Sequence, residues 1–285
     1  FTAHPNPMCF YRQKIPLVVV TDTTFIGQQL SWPVYGKIGM SLSIWQELRA
    51  FEKAGAIITF SKWSKMILTR NYVIKSSKIS FFPIPAAIPD KYLKAKQSIK
   101  KIEMPLKILI VAREYCRKGV DIAIQVVKLL NEIDYETKLT ICGLKGRNNS
   151  QVKFVGPYDK SNGSELELYI NTYKEAHLLI HPARFEAAGI TPSEGAAFGI
   201  PTITNNVGGL GTTVKNGISG IVLPANSGPD AYVDKIIYLI NNPNVYRELC
   251  MNSRKRYEKE LRWSSQKENM KSIIKKVINQ YNKEY

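Results

Sequence analysis

Hydrophobic and polar positions change along this chain in blocks that predict strands and helices in turn. Short runs that are apolar throughout, such as LVVVT at 17–21, AIITFS at 56–61 and LKILIVA at 106–112, are typical of buried parallel strands. Longer stretches with apolar residues three and four apart, such as 41–55 and 118–133, predict amphipathic helices. The regular alternation predicts an α/β fold whose parallel sheets are covered by helices on both faces.

The alternation is interrupted by a segment rich in proline and lysine between residues 83 and 105, which we interpret as a linker. We therefore predict two doubly wound, Rossmann-like domains, the first with its linker at 1–104 and the second at 105–262. A final helical segment follows at 263–285. The first domain shows only its closing strands and helices, and the opening strand with a glycine-rich phosphate turn is expected to be missing from it.

Composition excludes several classes of protein. The chain is 44% hydrophobic and 22% charged, as in ordinary globular proteins, and no apolar run approaches the ~18 residues of a membrane span. The four cysteines are widely spaced, which predicts four reduced thiols in the core of a cytoplasmic protein, namely Cys9, Cys116, Cys142 and Cys250. The histidines and carboxylates form no cluster typical of a metal site, so we predict no bound metal.

The net charge of +17 favours anionic partners. Residues 1–104 hold 15 Lys and Arg against 5 Asp and Glu, so most of the excess lies in the first domain. Phosphorylated substrates or an anionic lipid surface would suit this charge, and a solvated lysine-rich surface is the alternative. Because the basic residues are dispersed and no nucleic-acid-binding motif occurs, we do not expect a nucleic acid partner.

Two carboxylates stand out in RFEAAGITPSEGAAFGIPTITNNVGGLG at 184–211, a stretch that is otherwise mostly small or apolar. Glu194 has a structural explanation, because TPSE predicts a helix N-terminus with Thr191 as N-cap, Pro192 as first helical residue and Glu194 completing a capping box. Glu186 has no such explanation. It follows the predicted strand HLLIHP, and it is either a ligand-facing residue at the carboxyl edge of the sheet or a solvated loop carboxylate.

Cations and small residues accompany the carboxylates. Arg113 lies one residue past the strand at 106–112 and Lys118 opens the next predicted helix, so both would face the crevice where parallel sheets bind ligands. Two cations in that crevice would suit a diphosphate. The alternative is that both side chains are simply solvated and bind no ligand. The small residues of EAAGIT would let a ligand approach a helix N-terminus, and NNVGGLG is a second close approach or a plain turn.

In this order, the motifs resemble the family 4 (group 1) retaining glycosyltransferases, which have the GT-B fold. The matching text is VAREYCRKGVD, HPARFEAAGITPSEGAAFGIPTIT and NNVGGL, and the resemblance is strongest over 105–225. It implies a retaining hexosyltransferase that moves a sugar from a UDP- or GDP-sugar to a glycan or lipid-linked acceptor without a metal or cofactor. It also implies that the helix at 263–285 crosses back to the first domain, and that the enzyme works in the cytoplasm and peripherally at the anionic inner membrane face.

The resemblance implies a role for each matching residue. Arg113 and Lys118 would bind the donor's diphosphate, Glu194 the ribose hydroxyls, and Glu186 would lie beside the transferred sugar. The donor would also be contacted by backbone amides and by residues at the ends of turns and strands, namely Gly189, Ile190, Thr191, Gly209 and Asp22.

Some positions depart from the family pattern, and two rival functions stay open. Ala187 and Ala188 replace a Gly-Phe pair after the first glutamate, which changes the expected shape of the sugar pocket, and Asp22 stands where the family often has a histidine. A nucleotide-sugar epimerase of the same fold would use Glu186 as an acid or base. A partial transferase would bind the donor without turning it over.

Overall fold

The computed structural model describes residues 5–12, 15–33, 36–93 and 100–284, and it contains two parallel sheets. In the first sheet β1 (Val18–Thr21), β2 (Ala56–Thr59) and β3 (Ile79–Phe81) lie side by side in that order. The second sheet has the order β6-β5-β4-β7-β8-β9, with bounds β4 Leu106–Val111, β5 Thr137–Cys142, β6 Val152–Val155, β7 Leu178–His181, β8 Thr202–Asn205 and β9 Gly220–Leu223.

Helices connect the strands as the periodicity predicts. Their bounds are α1 Phe25–Ser31, α2 Lys37–Lys53, α3 Lys62–Arg70, α4 Val120–Glu132, α5 Gly163–Glu175, α6 Ile190–Ala197, α7 Leu210–Thr213, α8 Pro229–Asn241, α9 Pro243–Glu260 and α10 Trp263–Glu284. The prediction of an α/β fold with two doubly wound parallel units is confirmed. The strand bounds lie within a few residues of the apolar runs. They match because a strand that is buried on both faces is built from consecutive apolar residues.

The strand β4 illustrates this burial. Ile108 and Ile110 are buried in one core layer with residues of α4 and α8, whereas Leu109 between them is buried in the opposite layer with Tyr173 of α5 and Ala197 of α6. Since successive side chains of a strand point to opposite faces, the part of a strand that has helices on both sides needs apolar residues at consecutive positions, as at 108–110.

The order of the second sheet determines where a ligand site can form. From β4 the chain proceeds outward to β5 and β6, and it then returns to the other side of β4 through β7. The crevice between the carboxyl ends of β4 and β7 is therefore the switch point at which open α/β sheets bind their ligands. Arg113 follows β4 and Glu186 follows β7, so the topology brings these two predicted residues to the same crevice.

The last helix and the linker connect the two sheets. Val277 of α10 is buried among Val18, Ala56 and Ile58 of the first sheet. In the linker, Lys100 donates through Nζ to carbonyl oxygens at the C-terminal end of α5, including that of the next residue, Ala176, at 2.6 Å. The domain limits at 104 and 262 stay a prediction, because the contacts alone do not assign the linker and α10 to one domain.

The expectation for the cysteines needs one correction. Cys9, Cys142 and Cys250 are buried free thiols, but Cys116 is exposed in the loop after β4 and is not a core residue. Among the described residues, no helix is both long and apolar enough to cross a bilayer.

Candidate functional site

A cleft of about 290 Å³ lies at the carboxyl edge of the second sheet. It is lined by five of the residues that the sequence singled out, namely Arg113, Lys118, Ile190, Thr191 and Glu194. A larger cavity of about 380 Å³ is lined by Lys107, Lys138 and the loop at 148–153, at the amino ends of β4 and β5. None of the predicted residues lines that cavity, and parallel sheets bind ligands at the other edge, so we place the candidate site in the smaller cleft.

Glu186 is at the centre of a cluster of basic side chains. Its side chain is 14% exposed, and its Oε2 accepts a hydrogen bond from Lys118 Nζ and lies 3.3 Å from His181 Nε2 and 3.9 Å from Arg117 Nη1. Burial raises the pKa of this carboxyl, but the hydrogen bond from His181 and the charge of Lys118 outweigh burial and hold the pKa well below its usual range. Glu186 is therefore an ionised hydrogen-bond acceptor at neutral pH.

His181 is a member of this cluster that the sequence analysis missed. It is the last residue of β7, it is fully buried, and burial lowers its pKa, so the ring is neutral. Because Glu186 is ionised, the ring proton must lie on Nε2, which leaves Nδ1 as a buried acceptor without a hydrogen-bond partner among the described residues. In the sequence, a histidine in an apolar strand has no feature that separates it from a core residue.

Arg117 was missed as well, although it stands next to Lys118. Its Nε and Nη2 donate to the carboxylate of Glu114 at 2.9 and 2.5 Å, and its Nη1 donates to the carbonyl oxygen of Phe185 at 3.2 Å. The guanidinium thus holds the segment before Glu186 against the loop after β4. The sequence does show three cations after one strand, in AREYCRKG, but the spacing of the motif indicated only Arg113 and Lys118 as ligand-binding residues. Arg113 itself is exposed at the cleft.

Glu194 is not a capping residue, which corrects the structural explanation for it. The helix α6 begins at Ile190 with Gly189 as N-cap in the left-handed region (φ +83°), and no side chain caps it, so Thr191 lies within the helix. The helix starts earlier than predicted because the glycine adopts a positive φ at no steric cost. The Glu194 side chain points into the core, where its Oε2 accepts from the hydroxyls of Tyr169 at 2.6 Å and Tyr173 at 2.7 Å.

A cation that the sequence analysis did not single out contacts the other oxygen of Glu194. Lys160 Nζ lies 2.8 Å from Glu194 Oε1 and 4.1 Å from the centroid of the Tyr169 ring. Glu194 is fully buried, whereas the Lys160 side chain is 33% exposed in the cleft. Lys160 lies in the loop between β6 and α5, where a single lysine among polar residues carries no sequence signal.

The glycine turn after β8 supports the loop that carries Glu186. The backbone N–H of Gly209 donates to the carbonyl oxygen of Glu186 at 2.9 Å. A Cβ atom at Gly208 would lie 2.0 Å from that oxygen, and one at Gly209 would lie 2.0 Å from the carbonyl oxygen of Ala187. Both positions therefore need glycine because the turn packs directly on the backbone beside Glu186.

Residues of the first sheet and its helices approach the loop that carries Glu186. Asp22 follows β1, and desolvation raises the pKa of its carboxyl, with the charge of Glu186 acting in the same direction. Trp63 of α3 packs edge-to-face on Phe185, with ring centroids 5.7 Å apart, and the backbone N–H of Lys62 donates to the Thr212 hydroxyl at 3.1 Å. Both sheets thus place residues around the segment at 185–186.

Comparisons with known proteins identify the family of this chain. The family model described as glycosyl transferases group 1 matches residues 92–256, which is more than half of the chain. An uncharacterized glycosyltransferase of Methanocaldococcus jannaschii is 32% identical over 155 residues, which cover 52% of this chain and 41% of the relative. The chain thus matches less than half the length of this relative.

Solved structures of the GT-B fold resemble the whole described chain. Sucrose-phosphate synthase from Thermosynechococcus elongatus has a TM-score of 0.69 at 20% identity, and the match covers 94% of this chain and 70% of that one. HepE from Anabaena, solved in complex with UDP and glucose, has a TM-score of 0.62 at 13% identity, with coverage of 94% and 70%. At these identities the likeness concerns the fold, which is GT-B. Together with the family model, it shows that the chain belongs to the group 1 glycosyltransferases.

Proposed function

We propose that the protein transfers a hexosyl group from a UDP- or GDP-sugar to a glycan or lipid-linked acceptor with retention of anomeric configuration. The observation that carries this proposal is the contact of the ionised Glu186 carboxylate with the ammonium of Lys118, which lines the cleft together with Arg113 and the start of α6. Such a site offers an acceptor for sugar hydroxyls beside a positive region for phosphates.

In this proposal, Arg113, Lys118 and the backbone amides of Gly189, Ile190 and Thr191 bind the diphosphate. The cations and the positive end of α6 stabilise the negative charge that grows on the phosphate as the bond between the sugar's anomeric carbon and the phosphate oxygen breaks. The acceptor oxygen forms its bond to the same face of that carbon. The acceptor's proton passes to the departing phosphate, so no protein carboxylate has to act as base.

The carboxylates orient the donor. Glu186 accepts hydrogen bonds from hydroxyls of the transferred sugar, and Asp22 approaches the sugar from the first sheet. The turn at Gly209 contacts the donor and supports the loop that carries Glu186. Glu194 accepts from the ribose hydroxyls. The low pKa of Glu186 suits an acceptor role, whereas an epimerase would need a group there that can also donate a proton, so we favour transfer over epimerisation.

We further propose that transfer needs no metal ion or other cofactor, since the nucleotide-sugar is a substrate and the two cations that line the cleft, Arg113 and Lys118, would neutralise the diphosphate in place of a divalent metal. Activity should survive EDTA. Loss of activity on chelation, restored by Mg²⁺ or Mn²⁺, would contradict this part of the proposal. The UDP complex of the Anabaena structure makes UDP-sugars the first donors to test and GDP-sugars the second.

Calorimetry with nucleotides tests the proposed function directly. UDP or GDP should bind wild-type protein more tightly than the corresponding nucleoside, and Arg113→Ala should weaken diphosphate binding by roughly 1.5–3 kcal/mol while leaving nucleoside binding unchanged. Lys145→Met, at an exposed position after β5, removes a charge outside the site and serves as control. If the nucleoside binds as tightly as its diphosphate, the proposed phosphate site is wrong. A product of inverted configuration, or a C2 epimer of the donor, would overturn the proposed reaction.

A further inference from the structure

The two oxygens of Glu194 have different surroundings. Oε2 is held from the core side by the hydroxyls of Tyr169 and Tyr173, which also lie 2.9 Å from each other. Oε1 faces the cleft, and the contact that the structure gives it among the described residues is Lys160 Nζ at 2.8 Å. Glu194 is fully buried and lines the cleft together with Lys160, so a ligand in the cleft that bonds to Oε1 competes with the Lys160 ammonium.

Lys160 is the mobile partner of this pair by its chemistry. Its side chain is one-third exposed and has four rotatable bonds, whereas the tyrosines are buried and pack on each other with ring centroids 5.3 Å apart. The Tyr169 ring lies under the ammonium at 4.1 Å and adds a cation–π attraction. The pair is therefore a closed arrangement in which a partly exposed cation covers a buried carboxylate.

We propose that the Lys160 ammonium competes with the ribose hydroxyls of a nucleotide for Glu194 and that the bound nucleotide displaces it, which makes Lys160 a specificity-determining residue for the donor. This inference rests on the proposed function, because it takes the ligand of Glu194 to be a nucleotide. Binding of the ribose to Glu194 then replaces the single ion pair with Lys160, so the ribose contributes less to affinity than it would at a carboxylate without a bound cation.

Removing the ammonium should have two linked effects. The fully buried Glu194 carboxylate loses its counter-charge, so the unfolding temperature measured without added nucleotide should fall. A nucleotide then meets a carboxylate that has no competing cation, so its affinity should rise. A residue with a merely structural role would lower stability without raising affinity.

The variant Lys160→Met tests this inference, because methionine keeps most of the length of the chain and removes the charge. UDP and GDP should each be compared with their 2′-deoxy forms by calorimetry. For the nucleotide that binds, we expect about fivefold to tenfold tighter binding than in wild type, and a larger ratio between the deoxy and ribo dissociation constants. Lys160→Arg, which keeps the cation, should restore the wild-type affinity and ratio, and Lys145→Met should leave both unchanged.

The outcomes separate this inference from the proposed function. Weaker nucleotide binding in Lys160→Met would mean that Lys160 contacts the nucleotide itself, and an unchanged deoxy-to-ribo ratio would mean that Glu194 does not meet the ribose. Either result overturns the inference while leaving a nucleotide site in place. Absence of UDP and GDP binding in wild type and all three variants would overturn the proposed function, and the inference with it.

Discussion

At the scale of single residues, the contact between Glu186 and Lys118 leads to a clear prediction about catalysis. In Glu186→Gln the ammonium of Lys118 is released to the phosphates, so UDP or GDP should bind no more weakly than to wild type. Turnover with the sugar nucleotide should fall by the equivalent of roughly 1.5–3 kcal/mol, since an acceptor bond to the sugar is lost. Calorimetry and a transfer assay check the two parts.

The control for this experiment is Glu248→Gln, which changes an exposed carboxylate on α9 outside the cleft. A Glu186→Gln protein that loses nucleotide affinity and turnover in equal measure would contradict the separation of sugar and phosphate contacts.

Glu47 of α2, a helix that packs on the first sheet, makes the free energy of unfolding depend on pH. Burial raises its pKa to about 7 from 4.5, against the hydrogen bonds from the Tyr72 hydroxyl and the Phe25 backbone N–H. The folded state thus favours the protonated form. Below pH 4.5 both states are protonated; between pH 4.5 and 7 the unfolded chain ionises first, so stability falls as pH rises, by about 3 kcal/mol in total.

The amide in Glu47→Gln does not titrate, so this pH dependence should disappear. The free energy of unfolding in urea should change less between pH 5 and pH 8 in Glu47→Gln than in wild type. At pH 8 the variant should therefore be more stable relative to wild type than it is at pH 5. Glu52→Gln, on the exposed face of the same helix, should retain the wild-type pH dependence. Parallel curves for Glu47→Gln and wild type would show that the buried carboxyl does not titrate in this range.

At the scale of elements, the turn between β8 and α7 positions the loop after β7. Because a Cβ atom at Gly209 would overlap the carbonyl oxygen of Ala187, Gly209→Ala must displace the turn or the loop that carries Glu186. We expect a loss of stability of roughly 1–3 kcal/mol together with a loss of transfer activity. Thermal unfolding and the transfer assay measure both.

Gly163→Ala is the matched control for the turn. Gly163 opens α5, and nothing lies within 4 Å of an added Cβ atom there, so alanine should be neutral or slightly stabilising. Full stability and activity in Gly209→Ala would contradict the packing of the turn on Glu186.

At the scale of the whole molecule, the charge and an exposed face of α2 suggest a surface that binds membranes. Ile38, Leu42 and Trp45 are 90%, 58% and 43% exposed, and their spacing of four and three puts them on one face of the helix. Since residues 1–104 also carry 15 Lys and Arg against 5 acids, we expect reversible binding to anionic vesicles, worth roughly 1 kcal/mol per engaged cation.

Sedimentation with vesicles checks this expectation. Binding should disappear in high salt, and Leu42→Ser should weaken it, whereas Leu168→Ser, at a similarly exposed position (51%) on α5, should not. Equal binding to neutral vesicles, or equal loss in both variants, would contradict a basic and apolar membrane surface on the first part of the chain.

The sequence by itself determined the alternation of strands and helices, the parallel sheets, the positions of Arg113 and Glu186 after strands, and the position of Lys118 just before a helix. These features follow from local periodicity, because burial on both faces of a strand requires consecutive apolar residues. The loops that follow parallel strands lie at the same edge of the sheet, so polar residues in those loops are brought together there. The start of α6 was placed wrongly, because the positive φ of Gly189 outweighed the capping pattern of TPSE.

Only the tertiary structure decided which charges meet. Lys118 and Glu186 are 68 residues apart, Lys160 and Glu194 are 34 apart, and His181 reaches Glu186 from inside an apolar strand. No periodic pattern records such pairs, because their energy arises from burial and proximity that exist only after the helices have packed on the sheet. The same packing directs Glu194 away from the helix N-terminus and into contact with two tyrosine hydroxyls.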